Sequence, residues 1–250
     1  MDEFVFGKNP ILEVIKNKDV QANKIWISES LKDSSFKNDL VDYAKENKIP
    51  YHFVPINKID SLVKGQNHQG AILSISPIKY LSVKELIAKV SSSTNNKTIL
   101  VINEIEDSHN IGAMIRTFVG ANGEGVILSG RKSPGISSIT IKTSAGAIFK
   151  TALARASNCV NVINELKKND FWIVGTDVSQ EAKSIYEISF PEKIAIIVGN
   201  EHEGLGQLIK KNCDFLLNIP ISNQIDSLNV SVAFGIVLFE ALRQQKKLNS

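Results

Sequence analysis

The 250-residue chain has only two cysteines, Cys159 and Cys213. They form no CxxC pair and have no histidine at ligand spacing, which argues against a zinc site or a disulfide framework and suits a reducing compartment. No cluster of metal ligands appears, and no metal is expected. No run approaches the roughly 18 apolar residues of a membrane span. The opening residues, MDEFVFGKNP, start acidic and lack an apolar signal core. The expected location is therefore cytoplasmic, without a membrane partner. Three nucleotide or hydrolase signals are missing too. Without Gly-x4-Gly-Lys-Ser/Thr the chain does not read as a P-loop nucleotide hydrolase, and without Gly-x-Gly-x-x-Gly it does not read as a dinucleotide-dependent oxidoreductase. Without Gly-x-Ser-x-Gly it does not read as an α/β-hydrolase.

What is present is ordinary globular composition, 43% hydrophobic and 22% charged, in a chain long enough for one large domain or two smaller ones. The formal net charge of +3 allows nucleic-acid binding without demanding it.

Residues 1–78 read as a small α/β domain. A helix follows Asn9-Pro10 (PILEVIKN), a strand covers Lys24–Ser28, a helix runs around Ser35–Asn47, a strand spans Ile49–Pro55, and a glycine-led strand lies within His68–Pro77. Residues 79–97 differ in character. LSVKELIAKV is a short amphipathic helix and SSSTNNK is a polar run unable to build a core, so this stretch reads as a linker. From residue 98 to 250 strands and helices alternate. Strands are expected at Thr98–Asn103, Gly125–Ser129, Phe171–Asp177, Lys193–Gly199 and Phe215–Ile221. Several are continuous apolar runs, the pattern of parallel strands covered on both faces by helices. The last helix is apolar nearly all round from Val230 to Leu242. A surface helix would show a polar face, so this one is expected to be buried on more than one side, inside its domain and against a second subunit.

In such a sheet, ligands bind beyond the carboxyl ends of the strands. Three polar loops occupy that position: Asn103–Asn110, followed by IGAMIRT; Gly199–Gly206; and Pro220–Asn229. They would share one crevice if their strands are neighbours. With a helix starting at Ile111, Arg116 falls in its second turn on an apolar stretch. There it either snorkels to solvent or aims its forked donors at phosphate or ribose oxygens. In the second loop, two glycines around Glu201, His202 and Glu203 give either a plain turn or backbone held close to a ligand, with His202 facing solvent. In the third, Asp226 or Ser227 is a natural helix N-cap, and Asn229 is an unexplained polar residue in the first turn of an apolar helix.

Taken together and in order, Asn110-Ile-Gly-Ala-Met-Ile-Arg-Thr117, Ile197-Val-Gly-Asn-Glu201 with Gly204-Leu205, and Ile219-Pro220 with Ser227-Leu-Asn-Val-Ser-Val-Ala233 resemble the three motifs of the SpoU (TrmH-like) RNA 2′-O-ribose methyltransferases. FGKNPILEVI, NHQGAIL and the stretch from Arg131 to Asp177 resemble the subgroup that methylates a guanosine of large-subunit (23S-type) rRNA. The resemblance covers most of the chain outside the linker. It departs from the family at Asp107-Ser108, where Asp-Pro is common, and at Asn122 and Asn223, where glycine is common. Asparagine tolerates left-handed backbone better than most residues.

The resemblance implies a C-terminal parallel-sheet methyltransferase domain of the SPOUT type, threaded into a trefoil knot. It also implies a small N-terminal α/β RNA-binding domain of ribosomal-protein (L30e-like) type and a homodimer that completes the active site. The implied cofactor is S-adenosyl-L-methionine, held by Gly199, Ile219 and Leu228. Arg116 is the implied central catalytic residue, with Ser227 and Asn229 orienting it or the ribose and Glu201 and Asn110 supporting it. The alternatives are the same chemistry on a tRNA ribose, or a non-catalytic RNA-binding or ribosome-assembly protein on the same fold.

Overall fold

The computed structural model describes residues 3–93, 97–179, 181–200 and 203–245. In chain order its first elements are β1 (Glu3–Phe6), α1 (Lys8–Lys16), β2 (Ala22–Ser28), α2 (Ser34–Glu46), β3 (Tyr51–Val54), α3 (Ile56–Leu62) and β4 (Ala71–Ile75). Then come α4 (Val83–Ser92), β5 (Thr98–Asn103), α5 (Ser108–Gly120), β6 (Gly125–Ser129), α6 (Ser138–Thr143) and β7 (Ala152–Ala156). The chain ends with α7 (Cys159–Lys167), β8 (Trp172–Thr176), β9 (Lys183–Ser184), β10 (Ile194–Val198), α8 (Gln207–Asn212), β11 (Phe215–Asn218) and α9 (Val230–Gln244).

These elements form two compact units. The first comprises the chain up to Ile78 together with Ile136–Phe149, and the second comprises Lys79–Gly135 and the chain from Lys150 on.

In the first unit the strand order is β1-β4-β2-β3. β4 runs antiparallel to β1 and β2, and β3 runs parallel to β2. Ile11, Ile25, Ile27, Phe36 and Leu40 fill its interior. Asp33 starts α2 by accepting from the Phe36 amide at 3.1 Å. The segment Ile136–Phe149, which the sequence reading keeps in the second domain, packs here for local reasons. Gly146 has φ +82°, and a Cβ there would come within 3.1 Å of Pro10 Cα, so only glycine lets the segment sit against α1. Asn17 Nδ2 donates to the Phe149 carbonyl and Lys142 Nζ to that of Asn67, both at 2.7 Å.

The second unit is a seven-stranded, all-parallel sheet in the order β7-β6-β5-β10-β8-β11-β9. β5, β6 and β10 are buried at every residue, as their uninterrupted apolar runs require. One face carries a core that includes Leu86, Val90, Ile99, Ile163 and Ile197. On the other side α9 lies against α5 and β10, with the Phe118 and Phe234 rings 6.3 Å apart. Residues 79–93 belong to this unit. Within the stretch read as a linker, Ser82 and Glu85 close a capping box at the start of α4, and Leu86, Ile87 and Val90 bury its apolar stripe. Of the polar run, residues 94–96 lie outside the described residues.

The order of the sheet positions the site. The chain moves from β5 through β6 to β7 towards one edge, whereas β10 lies on the other side of β5 and is followed in space by β8 and β11. The direction reverses between β5 and β10, and such a reversal opens a crevice at the carboxyl ends of the two strands.

Candidate active site

The first loop leaves β5 beside that reversal. Glu104 adopts φ +56°, its amide donates to the Ser129 carbonyl at 3.0 Å, and its side chain covers Gly130. A Cβ at Gly130, which has φ +94°, would strike Glu104 Cγ. The loops after β5 and β6 are thus closed on each other around a glycine. Asp107 then accepts from the His109 amide at 2.8 Å and caps α5. This starts the helix at Ser108, three residues before the expected Ile111. Asn110 therefore lies in its first turn and Arg116 in its third. Asn110 and Arg116 are six positions apart, so they point to different sides of the helix. The Arg116 side chain is exposed.

The second loop turns back over its own strand. Gly199 is buried, and a Cβ there would meet the Gly204 carbonyl oxygen and lie 2.5 Å from the Gly204 carbonyl carbon and 2.7 Å from the Leu205 nitrogen. Gly204, at φ +63°, donates its amide to the Asn200 carbonyl at 2.8 Å and closes the reversal. Asn200 Nδ2 donates to the Glu104 carbonyl at 2.9 Å, joining the second loop to the first. Sequence reasoning singled out neither Asn200 nor Glu104. An asparagine after a glycine at a strand end is a turn signal, but nothing in the sequence marks Glu104. Glu201 and His202 lie outside the described residues.

The third loop leaves β11 at the half-buried Ile219 and reaches the start of α9 through the exposed Ser227 and the half-buried Leu228. The expected cap, Asp226 or Ser227, is not the one used. Asn229 caps α9, its Oδ1 accepting from the Ser231 and Val232 amides at 2.9 and 3.4 Å and from Ser231 Oγ at 2.6 Å. Its Nδ2 donates to Asn110 Oδ1 at 3.0 Å. This explains the polar residue at the head of an apolar helix, since one amide caps α9 and ties it to the first turn of α5. Of the predicted site residues, Asn110 and Asn229 touch. Gly199 sits at the reversal, Ile219 and Leu228 flank the third loop, and Arg116 projects from the outer side of α5.

Helix α9 is not buried on all sides within one chain. Phe234, Val237, Leu238, Ala241 and Leu242 face inward, but Val232 and Phe239 are 51% and 43% exposed. With Thr117, Gly235 and Ile236 they line a shallow apolar groove between α5 and α9.

The arrangement offers backbone rather than titrating side chains. The glycine reversal presents main-chain donors and acceptors at the end of β10, and the half-buried Ile219 and Leu228 belong to the loop that leaves β11, two strands away in the sheet. The two thiols play no part in such a site. Burial pushes Cys159 up to about 11 and Cys213 up to about 12. Among the described residues no group of His, Cys, Asp and Glu could hold a metal ion, and no helix is long and apolar enough to cross a membrane.

Comparison with known proteins agrees with this layout. Residues 97–239 match the model of the SpoU rRNA methylase family, and residues 4–81 match that of RNA 2′-O ribose methyltransferase substrate binding. YacO of Bacillus subtilis, named as a TrmH family tRNA/rRNA methyltransferase, is 30% identical over 243 residues, covering 97% of this chain and 96% of the relative. The crystal structure of the SpoU methyltransferase AviRb from Streptomyces viridochromogenes, in complex with AdoMet, has the same fold. Its TM-score is 0.82 at 18% identity, over 98% of this chain and 91% of that one. An AdoMet-bound rRNA methyltransferase from Sinorhizobium meliloti superposes with a TM-score of 0.81 at 21% identity, over 100% of this chain and 88% of that one.

Proposed function

The chain belongs to the SpoU rRNA methylase family and is an RNA methyltransferase, and from that premise we propose that it moves a methyl group from S-adenosyl-L-methionine to the ribose 2′-hydroxyl of a guanosine in large-subunit rRNA. The observation that carries this reading is the convergence of the three motif loops at the strand-order reversal, closed by the Asn200–Glu104 and Asn229–Asn110 hydrogen bonds.

The residues present fit the cofactor. Gly199 leaves room for a backbone cradle that any side chain would fill, and Ile219 and Leu228 supply apolar surface for the adenosine. When bound, S-adenosyl-L-methionine supplies an electrophilic methyl group on a sulfonium. The chain's own task is to align the 2′-oxygen with that methyl and to stabilise the oxygen as its proton leaves. Alignment of this kind supplies a large share of a barrier reduction. A guanidinium stays protonated in proteins, so Arg116 does not take the proton. It clamps the RNA phosphate and stabilises the developing alkoxide, and the proton passes to phosphate or water. Ser227 and Asn229 orient the ribose or Arg116, Asn110 supports them through its bond to Asn229, and Glu201 fixes its loop or Arg116.

The same proposal includes a homodimer in the cytoplasm. The exposed apolar edge of α9 suits burial against a second copy, and Arg116 on the outer side of α5 suits a site completed across that contact. It also includes a C-terminal part threaded as a trefoil knot, supported by the insertion of β10 between β5 and β8 and the return of the chain to α5 at Asn229. The match of residues 4–81 supports a first unit that grips the RNA.

Replacing Arg116 by alanine tests the central role. Methyl transfer is expected to fall at least about 100-fold, the scale for losing one donor to a developing charge, while titration with S-adenosyl-L-methionine stays unchanged. Retained turnover removes Arg116 from the mechanism.

A further inference from the structure

Strand β8 runs between β10 and β11, so its outgoing loop opens between the loops that carry Gly199 and Ile219. Ile197 pairs with Gly175 and Leu217 with Thr176. Continuing both ladders sets Asp177 level with Gly199 on one side and Asn218 on the other. The Asp177 amide donates to the Leu217 carbonyl at 2.9 Å, which holds the residue in line. Residues two apart on a strand share a face, and a Cβ at Gly175 would meet Cys213 and Leu205 at 2.8 Å. The side chain of Asp177 therefore points to the side where α8 packs.

There the carboxylate is 5% exposed and fully occupied. Lys210 Nζ lies 2.9 Å from Oδ1 and 2.8 Å from Oδ2, Ser179 Oγ donates to Oδ2 at 2.6 Å, and the Val178 amide donates to Oδ1 at 3.0 Å. A carboxylate taken out of water persists only with such compensation. Lys210 sits on α8, which starts directly after Gly206, and the backbone of Gly204 and Leu205 lies over Gly199. Asn200 anchors one end of that reversal to the first loop. The Asp177–Lys210 pair anchors the other end, through α8, to β8.

We propose that Asp177 and Lys210 are positioning residues for the cofactor, holding α8 against β8 so that Gly204 and Leu205 stay folded over Gly199. The inference rests on reading the Gly199 reversal as the S-adenosyl-L-methionine site. Neither residue needs to touch the ligand. Their effect is on the shape of the backbone cradle.

The test uses the full chain and the variants D177N, K210M, the double variant and the charge-preserving K210R. Each is titrated with S-adenosyl-L-methionine by calorimetry and assayed with substrate RNA. D177N keeps the shape of the side chain but turns an amide towards the Lys210 ammonium. D177N and K210M are each expected to weaken cofactor binding about tenfold and to raise its KM equally, with kcat at saturating cofactor and the KM for RNA within about twofold. The double variant is expected to be no worse than either single one, and K210R to restore most of the loss. Lowered melting temperatures with an unchanged cofactor KM would make the pair a plain structural tie and overturn the inference. A wild-type chain that fails to bind S-adenosyl-L-methionine would instead overturn the reading of the site.

Discussion

A methyl group added at Gly199 provides a local probe of the cradle. The substitution G199A places a Cβ 2.5 Å from the Gly204 carbonyl carbon and 2.7 Å from the Leu205 nitrogen. Ordinary carbon contacts begin near 3.4 Å, so the returning backbone must retreat by about 1 Å. Both neighbours are main chain, and neither can rotate away as a side-chain tip would. Overpacking of this kind costs about 1–3 kcal/mol, equivalent in a chain of this size to roughly 2–4 °C of melting temperature for each kcal/mol. Returning that backbone to its place on binding takes up this cost, and each step of about 1.4 kcal/mol is tenfold in affinity, so the Kd for S-adenosyl-L-methionine is expected to rise by about tenfold or more. Gly206 lies in the same loop with nothing within 4 Å of its would-be Cβ, and G206A is the control, expected to bind almost as wild type. Isothermal titration of both variants decides the matter. A G199A protein that binds within twofold of wild type would refute the claim that this reversal forms the site.

Other outcomes follow from single contacts. N229A removes the cap of α9 and the bond to Asn110 and should cost about 1–2 kcal/mol in denaturant unfolding. N229S restores the cap but not the bond, so it should recover stability while leaving methyl transfer impaired. The thiols of Cys159 and Cys213, pushed up to about 11 and about 12 mainly by burial, should be about one-thousandth or less thiolate at pH 8. Both should therefore resist a thiol reagent in the native protein and react at once in denaturant. Asp177 has a carboxyl that burial works to raise, but the hydrogen bonds from Lys210 and Ser179 outweigh this and hold it below the usual carboxylate value. Its stabilising contribution is thus present above the unfolded pKa of about 4 and is lost as pH falls from there through the lower native value. D177N should flatten the acid limb of unfolding free energy against pH, and an unchanged slope would refute that assignment.

The parts of the fold that were legible in the sequence are those whose burial leaves a local pattern. β5, β6 and β10 are apolar runs because both faces are covered, and such runs are visible without context. β7, with the sequence ALARA, combines small residues with an arginine and is recruited by pairing to β6. β9 is two residues long and exists only against β11. β1 and α3 are too short to show a period. The docking of Ile136–Phe149 on the first unit depends on Gly146 meeting Pro10 and Glu13, a tertiary fit that no local pattern encodes. Asn122 did behave as its residue type suggested, taking a left-handed backbone at φ +57°.

The site divides in the same way. The three motifs could be read because each clusters polar residues beyond a strand end, the second with glycines among them. Their mutual geometry could not. Asn110 and Asn229 are 119 residues apart in the chain, and the cap of α9 moved from Asp226 or Ser227 to Asn229 because that amide serves both helices at once. Asp107 likewise lengthened α5 and moved Arg116 into a later turn. The apolar character of α9 was legible, but its exposed edge at Val232 and Phe239 was not, since composition does not tell which side a partner covers.

The most direct test of the whole account is a methyl-transfer reaction. The purified chain is incubated with methyl-labelled S-adenosyl-L-methionine and two unmethylated RNAs, a large-subunit rRNA peptidyl-transferase fragment and bulk tRNA, and the label is mapped through alkali-resistant linkages. Label on a guanosine 2′-oxygen of the rRNA fragment is the predicted result. Label confined to tRNA, or absent from both RNAs although the chain binds the cofactor, would contradict it.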